Sequence, residues 1–144
     1  MHVSGESVEY PSPCPACAAV LTCHGGQALV GRSIEWSIES HCAACGWTLA
    51  ECGRGDGLPP ALRERLLARH GPTRLRLADP SAGAVTVMKV VRAELGGDLS
   101  EARDTLRRIR ADGYTGTLAE ITRLARCLER AGVRATAVRA EAVS

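Results

Sequence analysis

The sequence predicts an α+β protein: a small antiparallel Cys-rich sheet, then a compact β-α-α-(β)-α-β domain. Three observations carry this. Six of the seven cysteines fall within the first 57 residues. The stretch Gly53-Arg54-Gly55-Asp56-Gly57-Leu58-Pro59-Pro60 then packs three Gly and two Pro into eight positions, the composition of a linker or turn cluster. Beyond it, period-two segments alternate with amphipathic helical segments bracketed by capping residues.

The 144 residues are about one domain's worth, and short domains pair up at this length. The formal net charge of +2 hides an asymmetry. Residues 1–57 carry two Lys+Arg and six Asp+Glu, a net −4; residues 58–144 carry sixteen and ten, a net +6. No apolar run, Ala84–Met88 included, is long enough to span a bilayer. No basic start followed by an apolar stretch marks a signal peptide, so the expectation is a cytoplasmic protein with no membrane partner. Two Trp, two Tyr and no Phe argue against single-strand nucleic-acid binding by base stacking. No Ser/His/Asp arrangement, Gly-rich phosphate loop or carboxylate pair stands out, and the four His are scattered. The chain reads as non-enzymatic.

The N-terminal elements follow from the cysteines. Cys14-Pro15-Ala16-Cys17 and Cys42-Ala43-Ala44-Cys45-Gly46 are two C-x-x-C pairs with 24 residues between Cys17 and Cys42. A two-residue gap lets both sulfurs of one turn face the same ion. Gly46 supplies the positive φ such a turn wants. Two turns then offer four thiolates, Cys14, Cys17, Cys42 and Cys45, to a tetrahedral Zn²⁺. Between them Ile34, Trp36 and Ile38 alternate with Ser33, Glu35, Ser37 and Glu39, a strand period. Trp47–Glu51 continues as another strand. This arrangement resembles the zinc ribbon family over roughly residues 12–52. About forty residues with so few large apolar side chains cannot offset their ordering entropy alone. A structural Zn²⁺ supplies about 10–16 kcal/mol of apparent binding free energy in zinc-finger peptides.

Two other readings compete. Paired disulfides need an oxidising compartment. A redox C-x-x-C opens a helix, and neither pair precedes a helical pattern. Cys23, His24, His41 and Cys52 are spare ligands, able to replace one of the four or to form a second site. The plainer reading packs Cys23 and Cys52 as small hydrophobes on the strands. A catalytic zinc keeps an open position, whereas four Cys close the shell, so the single zinc is expected to be structural.

Residues 1–57 are thus read as the ribbon, with a flexible N-terminus and the Gly/Pro linker. A connecting helix occupies 58–72, with Leu62, Leu66 and Leu67 on its apolar side, Pro60 at its start and Gly71-Pro72 past its end. The third part is 73–144. Thr73–Ala78 alternates as a strand. Residues 82–95 form a helix with Val87, Met88, Val91 and Leu95 inward, broken by Gly96-Gly97. Asp98 with Glu101 caps the next helix, which turns Leu99, Ala102, Leu106 and Ile109 inward. Tyr114-Thr115-Gly116 is a turn or short strand. Thr117 with Glu120 caps the third helix, which buries Leu118, Ile121, Leu124 and Leu128 and ends at Gly132. Val133–Arg139 alternates as the last strand. Cys127, beside the inward stripe, reads as an inert thiol.

Val87-Met88-Lys89-Val90-Val91-Arg92, Leu99-Ser100-Glu101-Ala102-Arg103-Asp104 and Ala131-Gly132-Val133 occur in this order over residues 73–140. Together they resemble the C-terminal domain of the bacterial large-subunit ribosomal stalk protein (L seven/L twelve type). In that family the first two helices capture translational GTPases. The resemblance implies a partner-binding face of Lys89, Arg92 and Arg103, with Val87 and Met88 nearby. Lys89 and Arg92 share one side of a helix, and Lys89 is the only Lys of the chain. Ser100 stands where the family has a basic residue, the loop Leu95–Asp98 is altered, and a Cys-rich segment replaces the family's dimerisation helices.

The expected function is therefore binding of an acidic protein surface: a translational GTPase, a ribosomal component or a toxin that this chain neutralises. Complementary charge would steer the encounter. The alternative is nucleic-acid binding through Arg74, Arg76, Arg107, Arg108 and Arg110. A lesser alternative is a thiol redox protein.

Overall fold

The computed structural model describes residues 4–81 and 83–139. The chain divides into two compact units, Met1–His70 and Gly71–Ser144. The helix start expected at Ala82 and the last five residues of the 73–144 domain lie outside the described residues, as do Met1–Val3 of the expected flexible N-terminus.

The first unit is a four-stranded antiparallel meander in the order β1-β2-β3-β4, with one helix. Its strands are β1 (Ser4–Pro13), β2 (Val20–Val30), β3 (Ser33–His41) and β4 (Thr48–Arg54). Helix α1 (Pro60–His70) follows a single 3₁₀ turn at Gly55–Gly57. Residues opposite one another in the register share a face. Val8 pairs with Gly25 and Gly25 with Ile38, while Tyr10 pairs with Cys23. This face meets Leu62 and Leu66 of α1, and together with Leu21, Cys14 and Cys42 they form the core. A Cβ on Gly25 would sit 2.5 Å from Leu62 Cδ1, so the missing side chain is what lets the helix lie on the sheet. Arg65 lies 4.3 Å from the centre of the Tyr10 ring. His70 Nε2 meets the Ser7 carbonyl at 2.8 Å.

Two expectations change here. Ser4–Pro13, read as part of a flexible lead, is an edge strand paired along its whole length with β2. Pro11 and Pro13 are two residues apart, so their missing N–H groups fall on the same side, which an edge strand tolerates. The helix expected as a separate connector over 58–72 belongs to the first unit, because its apolar side completes that unit's core.

The second unit has a three-stranded antiparallel sheet in the order β6-β5-β7 and three helices. In chain order these are β5 (Thr73–Leu77), α2 (Ala84–Leu95), α3 (Leu99–Arg110), β6 (Thr115–Gly116), α4 (Leu118–Arg130) and β7 (Ala135–Arg139). Leu75 and Leu77 of β5 and Ala135 of β7 meet Val87, Val91, Ala102, Leu106, Ile109, Ile121, Leu124 and Leu128 in one core. The capping residues act as their spacing requires. Asp98 Oδ1 accepts from Glu101 N at 2.9 Å. Thr117 and Glu120 form a reciprocal box at 3.3 and 3.0 Å. At the end of α4, Val133 N bonds Leu128 O and Gly132 N bonds Glu129 O, closing a Schellman motif.

Leu95 and Leu99, expected inward, are 51% and 46% exposed. Leu95 is the last residue of α2, about 80° round the helix from Val87 and about 40° beyond Val91, at the end of the stripe. Leu99 is the first residue of α3 and lies past the end of the core.

Candidate metal centre and the α2–α3 face

The four cysteines of the two C-x-x-C pairs come together. Cys14 and Cys17 lie in the turn after β1, Cys42 and Cys45 in the turn after β3, and their sulfurs all lie within 4.8 Å of one another. Cys14 Sγ is 3.7 Å from Cys45 Sγ, and Cys17 Sγ is 3.6 Å from Cys42 Sγ. A tetrahedral ion with metal–sulfur bonds of about 2.3 Å needs sulfurs about 3.8 Å apart. Two edges of the cluster have about that length, and all seven cysteines are free thiols. Among the described residues it is the one group of His, Cys, Asp and Glu able to hold a metal ion.

Both turns are built alike. Cys14 N bonds Ala19 O and Ala18 N bonds Cys14 O, at 2.8 and 2.9 Å. In the second turn Cys42 N bonds Trp47 O and Gly46 N bonds Cys42 O, both at 2.8 Å. Main-chain amides aim at the sulfurs: Ala16 N lies 3.4 Å from Cys14 Sγ. The N–H groups of Cys45 and Ala44, with the neighbouring thiols, hold the Cys42 thiol down to about 7 against the effect of burial. Cys45 goes the other way. The Trp47 N–H favours its thiolate, but loss of solvent and the Cys17, Cys14 and Cys42 thiols outweigh it and push Cys45 up to about 12. Without a cation the cluster does not carry four negative charges side by side; a divalent ion would remove that conflict.

The likeness of the turns exposes one difference. Gly46 has φ +80°, and its counterpart Ala18 has φ +64°. A left-handed alanine costs about 1–2 kcal/mol, and glycine returns about 0.5–1 kcal/mol of that as unfolded-state entropy. Ala18→Gly is expected to stabilise the first unit by about 0.5–1 kcal/mol. A denaturation midpoint unchanged or lowered in the metal-loaded chain would contradict this.

The spare ligands stand apart from the cluster. Cys23 is buried and its Sγ lies 3.3 Å from Ser40 Oγ. Cys52 was expected to pack as a small hydrophobe, but it is exposed on β4, on the sheet face away from α1. His24 and His41 are exposed; His24 Nδ1 lies 4.0 Å from Glu9 Oε2. Cys127 is half-buried, with burial and the neighbouring Glu94 holding its thiol up.

In the second unit, Val85, Met88, Lys89, Arg92 and Ala93 of α2 and Gly97 and Leu99 border a groove of about 480 Å³. Val85 is 69% exposed and Leu99 46%, so two large apolar side chains stand in solvent beside two cations. Met88, Lys89 and Arg92 of the expected face line this groove. Arg103 is exposed one helical turn beyond Leu99. Val87 is not part of the face: it is fully buried, because it belongs to the stripe that packs α2 on the core. Val85 and Leu99 replace it there. An apolar Val85 off the Val87/Val91 stripe was the signal in the sequence.

Four of the five arginines proposed as a phosphate patch are engaged within the unit. Asp112 Oδ2 accepts from Arg74 at 2.8 Å and from Arg76 at 3.3 Å. Arg107 pairs with Asp104 at 3.2 Å, and Arg108 lies 5.4 Å from the centre of the Tyr114 ring. Asp112 has no precedent in the sequence reading. It sits in the left-handed position after α3, φ +61°, a conformation aspartate tolerates.

None of the described helices is long and apolar enough to cross a membrane. No family model, no curated protein and no solved structure matches the chain.

Proposed function

We propose that this chain is a non-enzymatic zinc-binding protein that docks an acidic protein partner on its α2–α3 face. Zinc is the ion a compact tetrahedral set of four thiolates favours, and four protein ligands leave no open position, which makes it structural. The observation that carries the docking role is the α2–α3 groove, where exposed Val85 and Leu99 lie beside Lys89 and Arg92. Exposed apolar side chains cost the isolated protein solubility and recover free energy when a partner covers them. The flanking cations select an acidic rim on that partner and speed the encounter.

The resemblance to the ribosomal stalk domain supports the same face, since Met88, Lys89 and Arg92 belong to its first-helix pattern. It makes a translational GTPase or a ribosomal component the leading partner class. A toxin neutralised by this chain is the other.

The test is co-purification with the intact chain, compared with Lys89→Glu plus Arg92→Glu. The double reversal is expected to weaken the captured partner's affinity at least tenfold and to flatten its salt dependence. Leu99→Ser is expected to weaken it with the salt dependence unchanged. Recovery of the same partners at equal affinity by the double variant would end this reading.

A further inference from the structure

Exposure alternates around the sulfur cluster. Cys14 and Cys42, the first cysteine of each pair, are 3% and 0% exposed, while Cys17 and Cys45, the second of each pair, are exposed. Two close sulfur contacts run between the turns, Cys17 to Cys42 at 3.6 Å and Cys14 to Cys45 at 3.7 Å. Each of them joins one exposed sulfur to one buried sulfur. We propose that the cluster is a peroxide-sensitive modification site. Oxidation links Cys17 to Cys42 and Cys14 to Cys45, releasing the metal while two cross-turn disulfides keep the first unit folded. This rests on the metal reading above for the thiolate state of the four sulfurs.

The chemistry balances. An exposed thiolate attacks hydrogen peroxide; an S–O bond forms, the O–O bond breaks, and the departing hydroxide takes a proton to become water. The buried thiolate of the opposite turn attacks the resulting sulfenic acid. An S–S bond forms, the S–O bond breaks, and the second oxygen leaves protonated as water. Each disulfide thus oxidises two thiolates by two electrons and reduces one peroxide to two waters, consuming two protons. Two such events remove all four ligands, so a divalent ion is freed for every two peroxides consumed.

The exposed member of each contact is the one peroxide reaches, and the buried member is shielded until its neighbour has reacted. Cross-turn links also tie the β1–β2 turn to the β3–β4 turn, as the metal does. Links within a pair would close each turn on itself and leave only the β2–β3 ladder joining the two. The other thiols do not compete on equal terms. Cys23 is buried, Cys127 is half-buried with its thiol held up, and exposed Cys52 lies outside the cluster.

The experiment uses the full chain carrying Cys52→Ser. Zinc per chain is measured first, with one expected. Peroxide is then titrated in, following zinc release with a colorimetric chelator, mapping disulfides by mass spectrometry and watching the amide spectrum of residues 4–70. The expected result is one zinc released per two peroxides, the links Cys17–Cys42 and Cys14–Cys45, and a first unit that stays dispersed. Links Cys14–Cys17 and Cys42–Cys45, sulfinic acids in place of disulfides, or collapse of the first unit on release would overturn the proposal. A chain that holds zinc but forms within-pair links refutes this inference and leaves the metal reading standing. Cross-turn links in a chain that never held zinc would refute the metal reading and metal release with it, leaving only the pairing of the sulfurs.

Discussion

A chelator added to the reduced chain is expected to unfold residues 4–70 and leave residues 71–139 folded. The first unit's main core cluster is small: Leu21, Ile38, Leu62 and Leu66 are its large apolar side chains and Cys14, Cys23 and Cys42 complete it, with Leu29 and Ile34 buried outside that cluster. Two of those seven core residues are themselves in the sulfur cluster. A tetrathiolate zinc site contributes about 10–16 kcal/mol of apparent binding free energy, more than a domain of this size holds in reserve. Cys42→Ser is expected to act like the chelator, because Cys42 is fully buried and receives the amides of its own turn. Acid is expected to do so too, since protons compete for all four thiolates. The amide spectrum of the full chain separates the units: first-unit signals collapse and second-unit signals hold. A first unit that keeps its dispersion after complete metal removal under reducing conditions would contradict the role assigned to the cluster. It would also erase the contrast with peroxide, under which the same metal loss is expected to leave the fold intact.

Leu128→Ala is expected to destabilise the second unit by about 3–5 kcal/mol. Leu128 is fully buried on α4, in the core that joins β5 to all three helices. Its carbonyl also receives the Val133 amide that closes the helix, and that bond survives the substitution. What the substitution removes is therefore side-chain packing, leaving a cavity in a unit of about seventy residues. At about 0.05–0.15 kcal/mol per residue such a unit has roughly 3–10 kcal/mol in total, so the variant is expected to be marginal or unfolded at 37 °C. Thermal unfolding of the full chain reads this as loss of the second unit's transition alone. A loss under 1 kcal/mol would show that Leu128 does not anchor this core.

The metal cluster was legible because covalent chemistry at fixed spacing leaves little freedom: two C-x-x-C pairs named all four sulfurs, and Gly46 named the turn. The helices of the second unit were legible because Asp98, Thr117 and Gly132 mark ends that hydrogen bonding enforces. β1 was not legible. Its inward positions run Glu6, Val8, Tyr10, with prolines at 11 and 13, so neither alternation nor composition announces a strand. Pairing with β2, a tertiary fact, makes it one. Val87 was carried onto the partner face by the family resemblance, although its own periodicity put it in the inward stripe, where it is buried. Cys52 was misplaced because α1 covers Cys23's side of the sheet, not the side Cys52 occupies.

The glycine-proline run invites a cut when fragments are designed, and Gly25 argues against cutting there. The bare backbone at that position exists to receive Leu62, which lies downstream of the run. A fragment ending at Gly57 would present Val8, Tyr10, Gly25 and Ile38 to water as an open greasy plate, prone to stick to its own kind. The natural seam is the peptide bond between His70 and Gly71.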